Sequence, residues 1–370
     1  MGWSAPGRRV TLRVRHWKEE AKMRFAEGIA TYGIDLGKSK FHVVGVDEKG
    51  HGLLRRTLRR PTLLEFFANA PAALIGVEAC PGSHWLARKL TSFGHTVRII
   101  PAQFVKPFVK SNKNDSIDAA AIAEAVTRPS MRFVAIKRCD QFDVQALHRV
   151  RDRLVSSRTR LISQMRAFLL EYGIALHNGA GMFRQQLPAA IADDCNELTP
   201  AMRTLLMELW DEFKALDQRI VAVSHHIEAL AARDDTARRL TSIPGIGALT
   251  ATALLAAVGD GKQFRRGRDL AAWLGLVPKQ YSTGGKPTLL GISKRGNPYV
   301  RRLLIHGARA CVLHLDRRRD RLGAWLDRLC GRMHSNKVVV ALANKLARIA
   351  WTVLTRPGAS YERMDPRFAN

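Results

Sequence analysis

The sequence predicts an α/β domain on the N-terminal side, an α-helical coiled-coil connector, and a mainly α-helical C-terminal domain with a helix-hairpin-helix. Three observations carry this. Over residues 30–126, apolar runs of strand length alternate with stretches of helix length. From Gln141 the apolar residues recur at helical spacing, in one stretch as an unbroken heptad. Beyond Asp234-Asp235 the helical patterns are separated by glycine-rich turns.

Residues 1–30 are basic and weakly patterned, a flexible extension in this reading. Residues 30–36 (ATYGIDL) and 41–47 (FHVVGVD) read as strands joined by the turn Gly37-Lys38-Ser39-Lys40, and residues 53–58 as a third strand. Residues 61–69 follow as a helix with Pro61 near its start. The continuous apolar run ALIGVEA (73–79) fits a buried strand. A helix over 83–93 stops at Gly94, residues 95–101 (HTVRIIP) form the next strand, and a helix opens at Asp115. Three hairpin-linked strands, then helix, strand, helix, strand and helix, is the order of a ribonuclease-H-like domain, assigned here to 31–138. The connector spans 139–235: an arginine-rich helix to about Tyr172, a loop around 177–181, then the heptad Met202, Leu206, Leu209, Phe213, Leu216, Ile220, Val223, Ile227 and Leu230. Its partner is either the preceding helix or a second subunit. The C-terminal domain spans 236–355, and 356–370 form a tail.

Sixty Lys and Arg oppose 32 Asp and Glu, a net charge of +28. Such an excess points to a polyanion whose counterions the basic side chains displace. A membrane surface is the competing polyanion, but no long uncharged apolar run and no signal peptide is present. The five cysteines are scattered without zinc spacing, which argues against a disulfide framework and for a reducing compartment.

Asp115 and Asp118, in KNDSIDA, lie three apart and so share one helix face. An N-cap with an acidic first turn would account for them alone. Asp35 in the first strand and Glu78 at the end of the fourth change that, because those strands are neighbours in the inferred sheet. Four carboxylates meeting at one sheet edge repel each other unless cations offset them. Hard oxygen donors of this kind suit Mg²⁺ or Mn²⁺.

In the C-terminal region, IPGIG lies between two helical patterns. Pro244, Gly245 and Gly247 would turn a helix hairpin tightly and present backbone N–H groups to a phosphate. Residues 280–304 hold no Asp or Glu and read as a glycine-rich loop before a helix opened by Pro298. Lys286, Lys294, Arg295, Arg301 and Arg302 there, with Lys38 and Lys113 upstream, are the candidate nucleic-acid contacts. Ser282, Thr283 and Ser293 are the hydroxyls within this stretch.

The motifs YGIDLGKSKF, IGVEAC, KNDSIDA, IPGIGALTA and GGKPTLLGISKRGNPYVRR resemble, in content and order, the DEDD transposases of bacterial insertion sequences, the group that includes the Piv-type invertases. The likeness runs from about Thr31 to Thr355. It implies a RuvC-like domain whose Asp35, Glu78, Asp115 and Asp118 bind divalent metal, Mg²⁺ or Mn²⁺. It implies Ser293, in ISKRGN, as the nucleophile. It further implies a structured bridge RNA that pairs with donor and target DNA. The resemblance also implies homo-oligomers in which one subunit's metal domain meets another's serine domain, acting in the bacterial cytoplasm at the nucleoid. The first aspartate usually lies nearer the N-terminus in this family, so residues 1–30 are an addition or an upstream translation start. Two rival functions fit the residues: a metal-dependent junction nuclease without a covalent intermediate, and a non-enzymatic architectural DNA-binding protein.

Overall fold

The computed structural model describes residues 27–109, 115–318 and 321–363. Lys110, Lys113, the basic stretch 1–26 and residues 364–370 lie outside them, as does the side chain of Asp115. The chain divides into two compact units, Met1–Ile136 and Lys137–Asn370.

The first unit is a five-stranded mixed sheet. Strands β1 (Thr31–Leu36), β2 (Lys40–Val46) and β3 (Gly52–Arg59) form an antiparallel meander. Helix α1 (Arg60–Asn69), β4 (Leu74–Glu78), α2 (Ser83–Ser92) and β5 (Thr96–Ile100) follow, with β4 and β5 parallel to β1. The strand order is β3-β2-β1-β4-β5, as the element order predicts for a ribonuclease-H-like domain. A short α3 (Ala102–Val105), a 3-10 turn and α4 (Asp115–Val126) complete it.

Side chains alternate across a strand, so each face of this sheet has its own cover. Tyr32, Ile34, Phe41, Val43, Ile75 and Val77 point to one face, where Leu63, Phe66 and Phe67 of α1 and Leu86 and Leu90 of α2 close the core. Tyr32 meets Phe67 edge-on with ring centroids 5.2 Å apart. Burying each such aliphatic or aromatic side chain stabilises the fold by about 1.5–3 kcal/mol. The opposite face takes α4, whose Ala119 and Ala123 pack with Val44 and Val46.

The second unit is mostly helical. Helices α5 (Cys139–Leu170), α6 (Ala180–Ala192) and α7 (Pro200–Arg233) share a core at one end. Arg158 pairs with Asp217 at 2.5 Å and Arg151 donates to Ser224 at 2.8 Å, so α5 and α7 run antiparallel. Within the heptad, Leu206, Phe213, Ile220 and Ile227 are buried, while the alternate positions are half-buried. The α6 helix, which contains Pro188, was not expected from sequence.

Helices α8 (Asp235–Thr241) and α9 (Ala248–Val258) flank the turn that holds Pro244 and Gly245, followed by α10 (Gly267–Trp273). Residues 278–292 differ from the expected loop. They form the two-stranded ribbon β6 (Pro278–Thr283) and β7 (Lys286–Ile292). Gly284 and Gly285 both have positive φ, as a tight hairpin turn requires, and this places every residue before Ile292 in solvent. Helices α11 (Pro298–His314), α12 (Arg321–Cys330) and α13 (Ser335–Thr355) close the unit. By length and composition α13 could cross a membrane, but its Leu342, Leu346, Ala350 and Val353 are buried in the core of this unit. His148 is buried between α5, α9 and α11, bonded to Tyr299 Oη at 2.9 Å and Thr252 Oγ1 at 3.0 Å.

Candidate active site

Two glycines seat the acidic cluster. The parallel register of β1 and β4 sets Gly33 beside Gly76 and Ile34 beside Val77. Asp35 and Glu78 come next on their strands and share the glycines' face. A methyl group at Gly33 would lie 2.0 Å from the Ala119 carbonyl oxygen, and one at Gly76 2.9 Å from Val126 Cβ. Helix α4 therefore lies on that face at a distance only glycine permits. Asp118, the neighbour of Ala119, is carried to the carboxylate end of both strands.

Asp35, Glu78 and Asp118 are half-buried and line one cavity of about 710 Å³. Lys38, Lys40, His42 and Lys106 line it too. Gly37 closes the β1–β2 turn by donating its N–H to the Lys40 carbonyl at 3.0 Å, which holds the two lysines at the rim. His42 is the cross-strand partner of Asp35, and its Nδ1 is 3.1 Å from Thr57 Oγ1. Its place here escaped the sequence reading, although the hairpin register contains it. The Cys80 thiol is pushed up to about 11, first by burial and then by the negative charges of Glu78 and Asp35. Both carboxylates thus act on one spot beside the cavity.

The donor set is hard oxygen in a shared cavity, the chemistry that a divalent cation takes. Among the described residues no three carboxylate, imidazole or thiol groups are gathered closely enough to hold one ion together. Asp115 begins α4, with its side chain outside the description.

Ser293 belongs to the second unit, directly after β7. Its N–H donates to the Val277 carbonyl at 2.8 Å, and that of Lys294 to the Gly275 carbonyl at 3.1 Å. Gly275 and Gly296 have φ of +71°, and a Cβ on Gly296 would stand 1.7 Å from the Trp273 carbonyl oxygen. Loop 293–296 is thus pressed against the turn after α10. Arg301 clamps it, donating to the Leu274 carbonyl at 3.0 Å and the Arg295 carbonyl at 2.8 Å.

Two features mark this loop. Among the described residues Lys294 alone of the non-glycines has a positive φ, 54°, which costs roughly 1–2 kcal/mol. Among the described residues the Ser293 Oγ is buried with no hydrogen-bond partner, at a cost of about 1–3 kcal/mol. Orphaned polar groups beside strained backbone persist where the surrounding structure enforces them, as at functional sites. The rival Ser282 is exposed and accepts a bond from Gln280 Nε2 at 2.9 Å, and Thr283 is exposed in the ribbon.

The expected nucleic-acid contacts divide into outward and inward groups. Lys286, Lys294 and Arg295 are exposed, and Lys38 lines the acidic cavity. Arg301 is the clamp just described, and Arg302 is itself exposed, pairing with Asp152 at the surface while stacking over Tyr299. Pro244 is buried, and Gly245, with φ of +82°, lies against Gly307, where a Cβ would stand 2.6 Å from the carbonyl oxygen. These two shape and pack the hairpin; Gly247, at the start of α9, is exposed.

Comparison with known proteins covers most of the chain. Residues 32–174 match a family of the IS110 DEDD type described as "Transposase". Residues 237–322 match the "Transposase IS116/IS110/IS902 family". The chain is 46% identical over 328 residues to the "Transposase for insertion sequence element IS1328" of Yersinia enterocolitica, covering 89% of this chain and 97% of that one. It is 46% identical over 329 residues to a "Probable family 20 transposase" of Pseudomonas aeruginosa, covering 89% and 97%. To the "Transposase for insertion sequence element IS1111A" of Coxiella burnetii it is 44% identical over 335 residues, covering 90% and 92%.

Proposed function

The chain belongs to the IS116/IS110/IS902 family of insertion-sequence transposases, enzymes that cut and join DNA, and we propose that it does so by attack of Ser293 on a phosphodiester. The observation that carries this is the buried, unpartnered Ser293 hydroxyl beside the left-handed Lys294. In the proposed step Ser293 Oγ bonds to phosphorus and gives up its proton. The 3′ oxygen of the cut strand leaves and gains one, and DNA remains joined to the enzyme as a 5′-phosphoserine. A 3′ hydroxyl of the recipient strand then attacks that phosphorus and frees the serine. The covalent link conserves the phosphodiester's energy, so no nucleotide is consumed.

Lys294 and Arg295, both exposed, would neutralise the developing charge on the phosphate oxygens. Asp35, Glu78 and Asp118, with Asp115, would hold Mg²⁺ or Mn²⁺, which supplies electrostatic stabilisation to the transferring phosphate. Lys38, Lys40 and Lys106 at the same rim would receive the DNA backbone. Helices α5 and α7 serve in this reading as a coiled-coil connector, and α8 to α9 as a helix-hairpin-helix with Gly247 at the phosphate. The guide is a structured bridge RNA pairing with donor and target DNA, and the working form is a homo-oligomer at the nucleoid. The basic charge of the chain and its family resemblance support these last points.

The test is trapping. Cleavage of labelled element-end DNA should yield a denaturant-resistant adduct, with the nucleotide mapped to the peptide containing Ser293. Cleavage without any adduct, undiminished in Ser293→Ala, would favour the hydrolytic junction nuclease. The guide is tested by the nucleic acid that copurifies: a discrete transcript from DNA flanking the gene supports it, and random cellular RNA counts against it.

A further inference from the structure

The second unit has a concave, positively charged site apart from Ser293. Arg266 and Arg268, at the start of α10, and Lys345 and Arg348 of α13 line a cavity of about 430 Å³, with Trp351 and Thr352 completing the wall. The two elements meet closely there, since a Cβ on Gly267 would lie 3.1 Å from the Arg348 carbonyl oxygen. Arg266, Arg268 and Arg348 are exposed and Lys345 is half-buried.

Among the described residues none of these four cations forms an ion pair with a carboxylate. Elsewhere in this unit arginines do find acids: Arg158 and Arg184 with Asp217, Arg317 with Asp327, and Arg302 with Asp152. The nearby Asp269 carboxylate is used to cap α10, accepting from the Arg266 N–H at 3.0 Å. Lys345 is pushed below the usual lysine range, first by burial and then by the positive charges of Arg348 and Arg328. Like charges converging in one concavity repel unless an anion joins them. Trp351 adds a fixed wall, because its indole N–H donates to the Phe264 carbonyl at 3.2 Å.

We infer that this pocket binds the sugar–phosphate backbone of a nucleic acid, with Arg266, Arg268 and Arg348 on the phosphates, Lys345 adding its charge from its place over the Trp325 ring, and Trp351 against the sugar or base. Arginine forks hold phosphate oxygens in two-point contacts, and an indole face suits an unstacked base. Ser293 is not among the residues lining the site, and binding there does not depend on which hydroxyl or carboxylates carry the chemistry.

The experiment compares full-length Arg268→Gln/Arg348→Gln with a control pair, Lys49→Gln/Lys89→Gln, that removes equal charge from exposed positions outside the pocket. Fluorescence anisotropy across a salt series would measure binding to duplex DNA and to a structured RNA. The pocket pair should weaken binding about tenfold at moderate salt and lower the salt slope by about two. The control pair should change affinity less than about twofold, and Arg268→Lys/Arg348→Lys should recover the salt slope but only part of the affinity, because lysine keeps the charge and loses the fork. Loss on RNA alone assigns the pocket to RNA, loss on DNA alone to DNA, and loss on both to either backbone. Equal effects of the pocket and control pairs on both polymers would overturn the assignment, since only net charge would then matter.

Discussion

Asp35, Glu78 and Asp118 stand on two strands and a helix, and their positions follow from regular geometry: a parallel register, a period of two, and α4 seated at Gly33 and Gly76. Ser293 stands in a loop with no repeating geometry, fixed by Gly275, Gly296 and the Arg301 clamp. The acidic site is therefore as rigid as the sheet beneath it. The serine is rigid only because its neighbours override what its backbone prefers, and Lys294 carries the strain. In the proposed mechanism the carboxylates share a cation and so need their mutual distance held constant, while the serine needs its one reactive atom held in place to meet phosphorus and a proton acceptor.

The largest test of that contrast is Ser293→Ala. It should remove covalent DNA adducts and strand joining by about a thousandfold or more, because the nucleophile has no substitute, while the melting temperature holds or rises. Adduct gels together with thermal melting check both halves. A marked loss of stability would mean that the hydroxyl is structural. Next, Asp35→Asn with Asp118→Asn should eliminate divalent-ion binding, read by calorimetry with Mn²⁺. Binding at undiminished affinity would remove the acids from the site and favour the architectural rival.

Gly33→Ala should then cost about 2–4 kcal/mol, because backbone rather than a flexible side chain occupies the space. It should also weaken Mn²⁺ binding by displacing Asp118. Lowered stability with intact Mn²⁺ affinity would separate the seat from the acids.

Acid should act on the second unit through His148. Burial holds that imidazole down at about 4, with the Arg151 charge adding to it. The unfolded chain, with its histidine near pKa 6.5, binds the extra proton first as pH falls. The stability of neutral His148 is thus complete above about pH 6.5 and declines through pH 4, by up to about 3 kcal/mol. His148→Gln should flatten this window in denaturant titrations. An unchanged pH profile would show that another group controls it.

The smallest effect belongs to Lys294→Gly. Relief of the left-handed strain and the added freedom of glycine in the unfolded chain nearly offset, leaving stability within about 1 kcal/mol. Adduct formation should nevertheless fall severalfold as the loop loosens. Full activity would show that the strained backbone serves folding alone.

The N-terminal sheet was legible because each element carries its own periodicity, and the four acids were placed on its elements correctly as residues. The depth of Gly33 and Gly76 was not legible, since they meet only through a register joining segments more than forty positions apart. Ribbon β6–β7 reads as a loop in the sequence because glycines at its turn and at Gly291 dilute the alternation. Charge counting treats Arg301 and Arg302 alike, as candidate phosphate contacts, and is blind to their partners within the fold. Whether an arginine faces solvent, a carbonyl or an acid depends on what folds beside it, and here Leu274, Arg295 and Asp152 do. Pro244 and Gly245 reveal the same limit, because a motif's turn chemistry is local while its contact with Gly307 is not.

Ribbon β6–β7, wet along nearly all its length, has a consequence for how such a chain diversifies. Residues that support no core can be exchanged, lengthened or shortened with little penalty to folding, yet they lead straight into Ser293. Variation can accumulate one step from the proposed nucleophile while the scaffold stays untouched, leaving the ribbon as the segment freest to be rewritten when an element meets a new host sequence.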